Sequence, residues 1–210
     1  MSDPTNDLLT QIPEVFFAEL DRSLAEYGYA IFPGLLRPSF VGEVRAEMEW
    51  LREAGDFQPA NVGKGAATQH APETRGDGTC WLEPAALSPV QAKLARLLEG
   101  VREHLNISHF LGLWDWEGHY AIYPEGAFYH RHLDRFASDS RRTVSIVFFF
   151  NSGWTAKDGG ALRLDLPSGP CDVSPAGGTA VFFLSDRIPH AVLRTSRDRF
   201  SFAGWFRTRA

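Results

Sequence analysis

The chain has 210 residues, of which 44% are hydrophobic, enough for one well-buried core. Charged residues make up 22% and the formal net charge is -5, with the acidic groups spread along the chain, so the broad basic footprint of a DNA- or RNA-binding domain is absent. The longest apolar runs, SIVFFF and TAVFFL, have the length of strands and fall far short of a bilayer, so no membrane segment is expected. Cys80 and Cys171 have no CxxC partner and no signal-like segment before them, which fits isolated thiols in a reducing cytoplasm.

The first quarter reads as helical. Phe16, Leu20, Leu24 and Tyr27 fall three or four apart, and Phe40, Val44, Met48 and Leu51 repeat the pattern after a break at Pro33 and Gly34. YAIF between them reads as a short strand. A third helix is predicted over 88–105, with Ser88 as its cap, Pro89 in the first turn and Val90, Leu94, Leu97, Val101 and Leu105 along one side. These stripes suit packing on a sheet.

Between the second and third helices, DFQPANVGKGAATQHAPETRGDGTCW is long for a connection and punctuated by glycine and proline. It reads either as a solvated loop or as a substrate lid. Its Gly-Lys-Gly lacks the spacing of a phosphate-binding loop. After about His109 the texture changes: GHYAIYP, RRTVSIVFFF, ALRLDL, GGTAVFFL, HAVLR and RFSFAGWF are strand-like and separated by glycine turns. Six such segments without helical crossovers argue for an antiparallel sandwich or jelly roll. One domain is expected over 1–210, with 1–108 as mainly helical support and substrate loop and 109–210 as the jelly-roll core.

Chemistry concentrates in FYHRHLDRF. In an extended strand running into a loop, His132 and Asp134 point to the same side, because side-chain direction repeats every two residues. His190, opening HAVLR after an apolar strand, is the best-placed third ligand. Two imidazoles and one carboxylate form the ligand set of non-heme Fe(II), with positions left open for substrate and oxygen; zinc accepts the same atoms. Nine residues beyond, Arg199 is predicted to share a face with Ser201, Ala203 and Trp205, while Phe200, Phe202 and Phe206 face the other way. A slot of small groups beside a cation suits a dicarboxylate whose keto-acid end chelates iron. Fe(II), Asp134 and such a dianion sum to one negative charge, and Arg199 cancels it.

The sequence resembles the 2-oxoglutarate and Fe(II)-dependent oxygenases, and within them the prolyl hydroxylases of the hypoxia-sensing type. The likeness runs through Tyr123-Pro124, HRHLD, RRTVSIVFFFN, GWTAKDGGALRL, LSDRIPHAV and DRFSFAGWF, with a weaker echo in TRGDGTCWLE. It covers about two-thirds of the chain, from roughly Arg75 onward. The resemblance implies a mainly β fold with flanking α-helices: a double-stranded β-helix (jelly roll, cupin-like) core with the N-terminal helices packed on one sheet. It implies His132, Asp134 and His190 as iron ligands and Arg199 as partner of the distal carboxylate of 2-oxoglutarate, with Tyr123 beside that cosubstrate and Trp205 in its pocket wall. The sequence departs from the family at Phe149, where these enzymes often place a tyrosine that hydrogen-bonds the same carboxylate. That donor is therefore either absent or supplied by Tyr123, Thr143 or Ser201.

Asp77 either orders the long loop or meets substrate, and Arg131 or Arg187 reaches substrate at the rim. His130 reads as a non-ligating rim group; His70, His104, His109 and His119 read as ordinary surface, core or hydrogen-bonding histidines. The implied activity couples oxidative decarboxylation of 2-oxoglutarate, to succinate and CO2, with C–H hydroxylation by O2, ascorbate being admitted as a reductant. The implied partner is a protein or peptide with an exposed proline. A hydroxylase of a free amino acid or small molecule is the alternative. A cupin-like metal enzyme without 2-oxoglutarate, a zinc-bound structural domain and a non-catalytic jelly-roll binding module are the remaining readings.

Overall fold

The three helices form where the apolar spacing predicts them. In the computed structural model, which describes residues 8–10, 12–60, 73–135 and 140–209, they are α1 (Pro13–Tyr27), α2 (Pro38–Ala54) and α3 (Pro89–His109). Each opens on a proline, whose missing N–H is no loss in a first turn. Only α3 carries a full capping box: Ser88 Oγ accepts from the Gln91 N–H, and the Gln91 side chain accepts from the Ser88 N–H. His104 and His109 both contact Asp21, at 2.9 and 3.0 Å, and so tie α3 to α1.

Eleven strands are described. YAIF is β1 (Tyr29–Phe32). The long glycine-rich connection is not loop throughout, since its two ends pair as the antiparallel strands β2 (Gln58–Pro59) and β3 (Gly78–Trp81). Its middle, 61–72, which includes His70, lies outside the described residues. Then follow β4 (Leu113–Tyr123), β5 (Tyr129–His132), β6 (Arg142–Phe149), β7 (Leu162–Leu166), β8 (Gly169–Val173), β9 (Ala180–Leu184), β10 (His190–Val192) and β11 (Arg199–Thr208).

They make two antiparallel sheets, one ordered β1-β9-β6-β11-β4-β3-β2 and the other β5-β10-β7-β8. This is the double-stranded β-helix core the resemblance implies, with the helices packed on the outer face of the seven-stranded sheet. Phe16, Leu20, Phe40, Val44 and Leu97 from the helices meet Tyr120, Phe148, Phe200, Phe202 and Phe206 there. Packing is tightest at Phe202. Gly118 and Gly204 are register partners on β4 and β11, and a Cβ on either would come within 2.4 or 2.6 Å of the Phe202 ring. Between the sheets, Val147, Phe149, Leu162, Leu164, Phe183 and Ile188 form a second, smaller apolar cluster, which leaves a cavity beside it.

Candidate metal and cosubstrate site

Pairing of β10 with β5 puts His190 directly opposite His132. Asp134 follows just after β5 ends and turns inward, buried, while its neighbour Leu133 stays exposed. The Nε2 of His132 lies 3.6 Å from Asp134 Oδ1, and the Nε2 of His190 lies 3.6 Å from Oδ2. One ligand atom from each of the three residues falls within 4.8 Å of the others.

Each imidazole is oriented from behind. His132 Nδ1 donates to the His130 carbonyl at 2.8 Å and His190 Nδ1 to that of Ile188 at 3.2 Å. Both Nε2 lone pairs therefore face the shared space, as metal-binding histidines require. Burial pushes His190 down to about 4, so it is neutral at ordinary pH. Burial opposes the charge of Asp134, but the facing imidazoles of His190 and His132 outweigh it and hold the carboxyl well below the usual range. Ser145 donates to Asp134 Oδ2 at 2.7 Å and is itself 2.8 Å from the Ser185 hydroxyl. Tyr129 stacks on His132 at 3.7 Å, and Arg75, bonded to Asp77 at 2.8 and 2.5 Å, lies 4.4 Å over the far face of Tyr129. Two imidazole nitrogens, an ionised carboxylate and a supporting layer of hydrogen bonds fit a divalent first-row metal ion.

Arg199 is only 1% exposed. Its Nε donates to the Gly160 carbonyl at 2.8 Å and its Nη1 to Ser201 Oγ at 3.1 Å. The rings of Tyr123 and Phe149 flank its guanidinium at 5.0 and 4.9 Å. Gly160 is required here: its φ is +65°, and a Cβ would come within 3.1 Å of Arg199 Cδ. No carboxylate pairs with Arg199 among the described residues, and burial pushes its pKa down to about 10. A buried cation without an anion is costly, and an anionic ligand relieves the cost.

One cavity of about 560 Å³ joins the two features. His132, Asp134, His190, Arg199, Ser201, Tyr123 and Trp205 all line it. Arg199, Ser201, Ala203 and Trp205 share the face the alternation predicts, with Phe200, Phe202 and Phe206 packed against the helices.

Other candidates go elsewhere. Thr143 is at the opposite end of β6 from Phe149, its hydroxyl bonded to the Arg141 carbonyl at 3.1 Å, so of the three donors considered for the Phe149 position only Tyr123 and Ser201 stand beside Arg199. Arg131 points out to Asp165 at 2.5 Å, its side chain 65% exposed. Arg187 sits exposed in the turn after β9, and neither it nor Asp77 lines the cavity. Asp77 is buried and paired with Arg75, away from the cavity wall. His130 is exposed and edge-on to Phe128. Sequence reasoning missed Ser145, Arg75, Tyr129 and His119. For His119 a signal was present, because in EGHYAIY the residues at 117, 119, 121 and 123 alternate onto one face, and all four line the cavity.

Residues 118–207 match the family model described as the 2OG-Fe(II) oxygenase superfamily. A solved prolyl-4-hydroxylase from Pseudomonas putida is 38% identical, and the alignment covers 92% of this chain and 100% of that one with a TM-score of 0.83. The chain belongs to the 2OG-Fe(II) oxygenase superfamily, in its prolyl hydroxylase branch. A hypoxia-inducible factor prolyl hydroxylase from Caenorhabditis elegans is 32% identical over 198 residues, which is 88% of this chain and 27% of the relative. The chain thus spans about a quarter of that relative's length, though all of the bacterial enzyme's. A Trichoplax adhaerens prolyl hydroxylase, solved with a hypoxia-inducible factor peptide fragment, shares the fold at 23% identity and a TM-score of 0.82, covering 94% of each chain. Oxygenases of this superfamily use Fe(II), 2-oxoglutarate and O2, and the residues around this cavity fit the metal ion and the anionic cosubstrate. No helix among the described residues is long and apolar enough to cross a membrane.

Proposed function

We propose that this chain hydroxylates a prolyl residue, at C4, in a peptide or protein segment, with Fe(II) held by His132, Asp134 and His190 and 2-oxoglutarate anchored on Arg199. The observation that carries this reading is a single cavity containing both a three-ligand metal cluster and a buried arginine without a carboxylate partner among the described residues. When bound, the metal and cosubstrate supply the oxidative decarboxylation that drives C–H hydroxylation.

The protein's own part is to bind, orient and exclude water. The Arg199 guanidinium meets the distal carboxylate in paired geometry that lysine does not reproduce. Ser201, already bonded to Arg199, and Tyr123, whose ring flanks the guanidinium, carry hydroxyls and line that end of the cavity. Ser145 fixes Asp134, and Tyr129 fixes the ring of His132. Val147, Leu162 and Val192 give the cavity an apolar wall that keeps bulk water from the reacting centre.

A peptide substrate is supported by the mouth of the cavity. Trp81 and Leu133, 47% and 40% exposed, line it together with Pro59 and Ala60, and the Trichoplax relative was solved with a peptide fragment. The test is succinate release from 2-oxoglutarate against proline-containing peptides, followed by locating a +16 Da change. Deleting residues 61–72, which continue from the Pro59-Ala60 edge, is expected to cripple peptide hydroxylation while anaerobic Fe(II)/2-oxoglutarate binding persists. Efficient hydroxylation of a free amino acid, with no peptide proline modified, would replace the peptide reading and leave the oxygenase reading intact.

A further inference from the structure

Two polar atoms in the cavity wall have no hydrogen-bond partner among the described residues: Nδ1 of His119 and Nε1 of Trp205. Both side chains are more than nine-tenths buried, at 3% and 6% exposure. The indole N–H helps hold Asp134 ionised through its dipole, at a geometry short of a hydrogen bond. Buried orphans of this kind are rare, and two of them side by side call for a ligand.

The two rings are neighbours, 5.5 Å between centroids, and Trp81 closes a triangle with them, 4.7 Å from His119 and 6.2 Å from Trp205. Trp81 is the register partner of His119, His119 that of Ala203, and Trp205 that of Ser145, the residue that holds Asp134. The cluster therefore has one corner, Trp205, beside the metal ligands and another, the exposed Trp81, at the cavity mouth. Strands lie ~4.8 Å apart and the register puts Glu117, not His119, opposite Trp205, so His119 on β4 stands two spacings and two residues, ~12 Å, from Ser145 on β6. An extended peptide covers that distance in about three to four residues.

The chemistry of the pair selects the partner. Burial, reinforced by the nearby Arg75 and Arg142, pushes His119 down to about 3, so its ring is neutral and offers one acceptor nitrogen. Indole offers a donor only. An acceptor beside a donor is the complement of a main-chain N–H beside its neighbouring C=O, and the aromatic faces around them suit apolar side chains.

We propose that His119 is a specificity-determining residue: its Nδ1 accepts a hydrogen bond from a main-chain N–H of the peptide substrate about three to four residues from the hydroxylated proline, with Trp205 Nε1 beside it for the adjoining carbonyl. The inference rests on the peptide-hydroxylation reading and adds the backbone contact that distinguishes a chain from a free amino acid.

The experiment uses the full chain with Fe(II), 2-oxoglutarate and a library of nine-residue peptides with a central proline. The same library is then made with one amide at a time replaced by an ester, which deletes a single N–H and keeps the shape. In the wild type, the ester about three to four residues from the proline raises the peptide KM about tenfold, the effect of leaving one buried acceptor unpaired. In His119→Phe the all-amide peptide shows the raised KM, the ester adds nothing further, and the cosubstrate KM does not follow the peptide KM. His119→Gln keeps an acceptor and retains the ester effect, and His119→Met, which offers no nitrogen acceptor, replaces the phenylalanine variant should that fail to fold. The same ester profile in wild type and in the phenylalanine or methionine variant, or a cosubstrate KM that rises in step, would overturn the proposal. A wild type that modifies no library peptide but hydroxylates free proline overturns the peptide reading, and this inference with it.

Discussion

β4, β6 and β11 carry different chemistry on their two faces. Toward the helices lie Tyr120, Ile122, Val144, Phe148, Phe200, Phe202 and Phe206, all 5% exposed or less. Toward the four-stranded sheet lie His119, Tyr123, Ser145, Arg199, Ser201 and Trp205, 6% exposed or less. Burial is the same on both sides; what differs is who satisfies it. The outer face is completed by helix side chains and holds the fold together. Among the described residues the inner face keeps an arginine without an anion and two orphan nitrogens, and it looks across the cavity at the triad that β5 and β10 of the four-stranded sheet supply. Depth alone does not separate core from site, whereas unsatisfied polar depth does.

The largest effect is expected from the cavity, where Asp134 faces the inner face from beside β5. Asp134→Ala removes the anionic ligand, and iron affinity should fall more than about 100-fold, beyond what losing an outer hydrogen bond costs a metal site. Succinate release should vanish while circular dichroism still reports the folded sheet. Normal iron-dependent turnover would sink the triad. Phe202→Ala should do the reverse: it empties the slot over Gly118 and Gly204 and costs about 3–5 kcal/mol in denaturant unfolding, and the molecules that remain folded should bind 2-oxoglutarate as before. A cosubstrate affinity lost along with stability would show that the faces are not separable.

Arg199 comes next. Arg199→Lys keeps charge without the paired geometry and Arg199→Ala loses both, so the cosubstrate KM should climb from wild type to Lys to Ala, the last by about 30-fold or more. Equal KM values in the three proteins would place the dianion elsewhere.

A pH effect also belongs to the cavity, with His119 on the inner face and His190 opposite it on β10. His119 and His190 hold folded pKa values near about 3 and about 4, against 6.5 for the unfolded ring. Between pH 6.5 and 4 the unfolded chain binds more protons, so stability of the metal-free protein should be full above 6.5 and decline as pH falls. Each group contributes a slope of up to about 1.4 kcal/mol per pH unit. His119→Phe should flatten the decline in thermal melts; an unchanged slope would mean that its imidazole is already charged in the fold. The smallest effect is expected from Phe149→Tyr. A hydroxyl added beside Arg199 should lower the cosubstrate KM by less than about tenfold, and a higher KM would mean that the fully buried ring has no room for it.

The parts legible in the sequence are those with a local period. Helical spacing located α1, α2 and α3, and strict alternation in RFSFAGWF assigned Arg199 and Trp205 to one face and Phe202 to the other. His132, Asp134 and His190 were legible through motif and resemblance together, since no local rule brings β10 beside β5. What escaped depends on neighbours distant in sequence. GPCDV in β8 tolerates Pro170 as an edge strand. Ser145 became readable only with the β6–β11 register in hand. The same register, with Phe149 opposite Ser201, leaves Thr143 six residues and ~20 Å along the strand from the Arg199 end. His119 was grouped with the ordinary histidines because the character of a buried imidazole depends on whether a partner faces it, and that is decided by β3 and β11.

The most direct measurement is anomalous diffraction at the iron edge from crystals grown anaerobically with Fe(II) and 2-oxoglutarate. The expected result is one iron, ~2.0–2.2 Å from Nε2 of His132, Nε2 of His190 and a carboxylate oxygen of Asp134, with the distal carboxylate of the cosubstrate on the Arg199 guanidinium. Iron bound away from these three residues, or a cosubstrate whose distal end leaves Arg199 without an anion, would contradict the account.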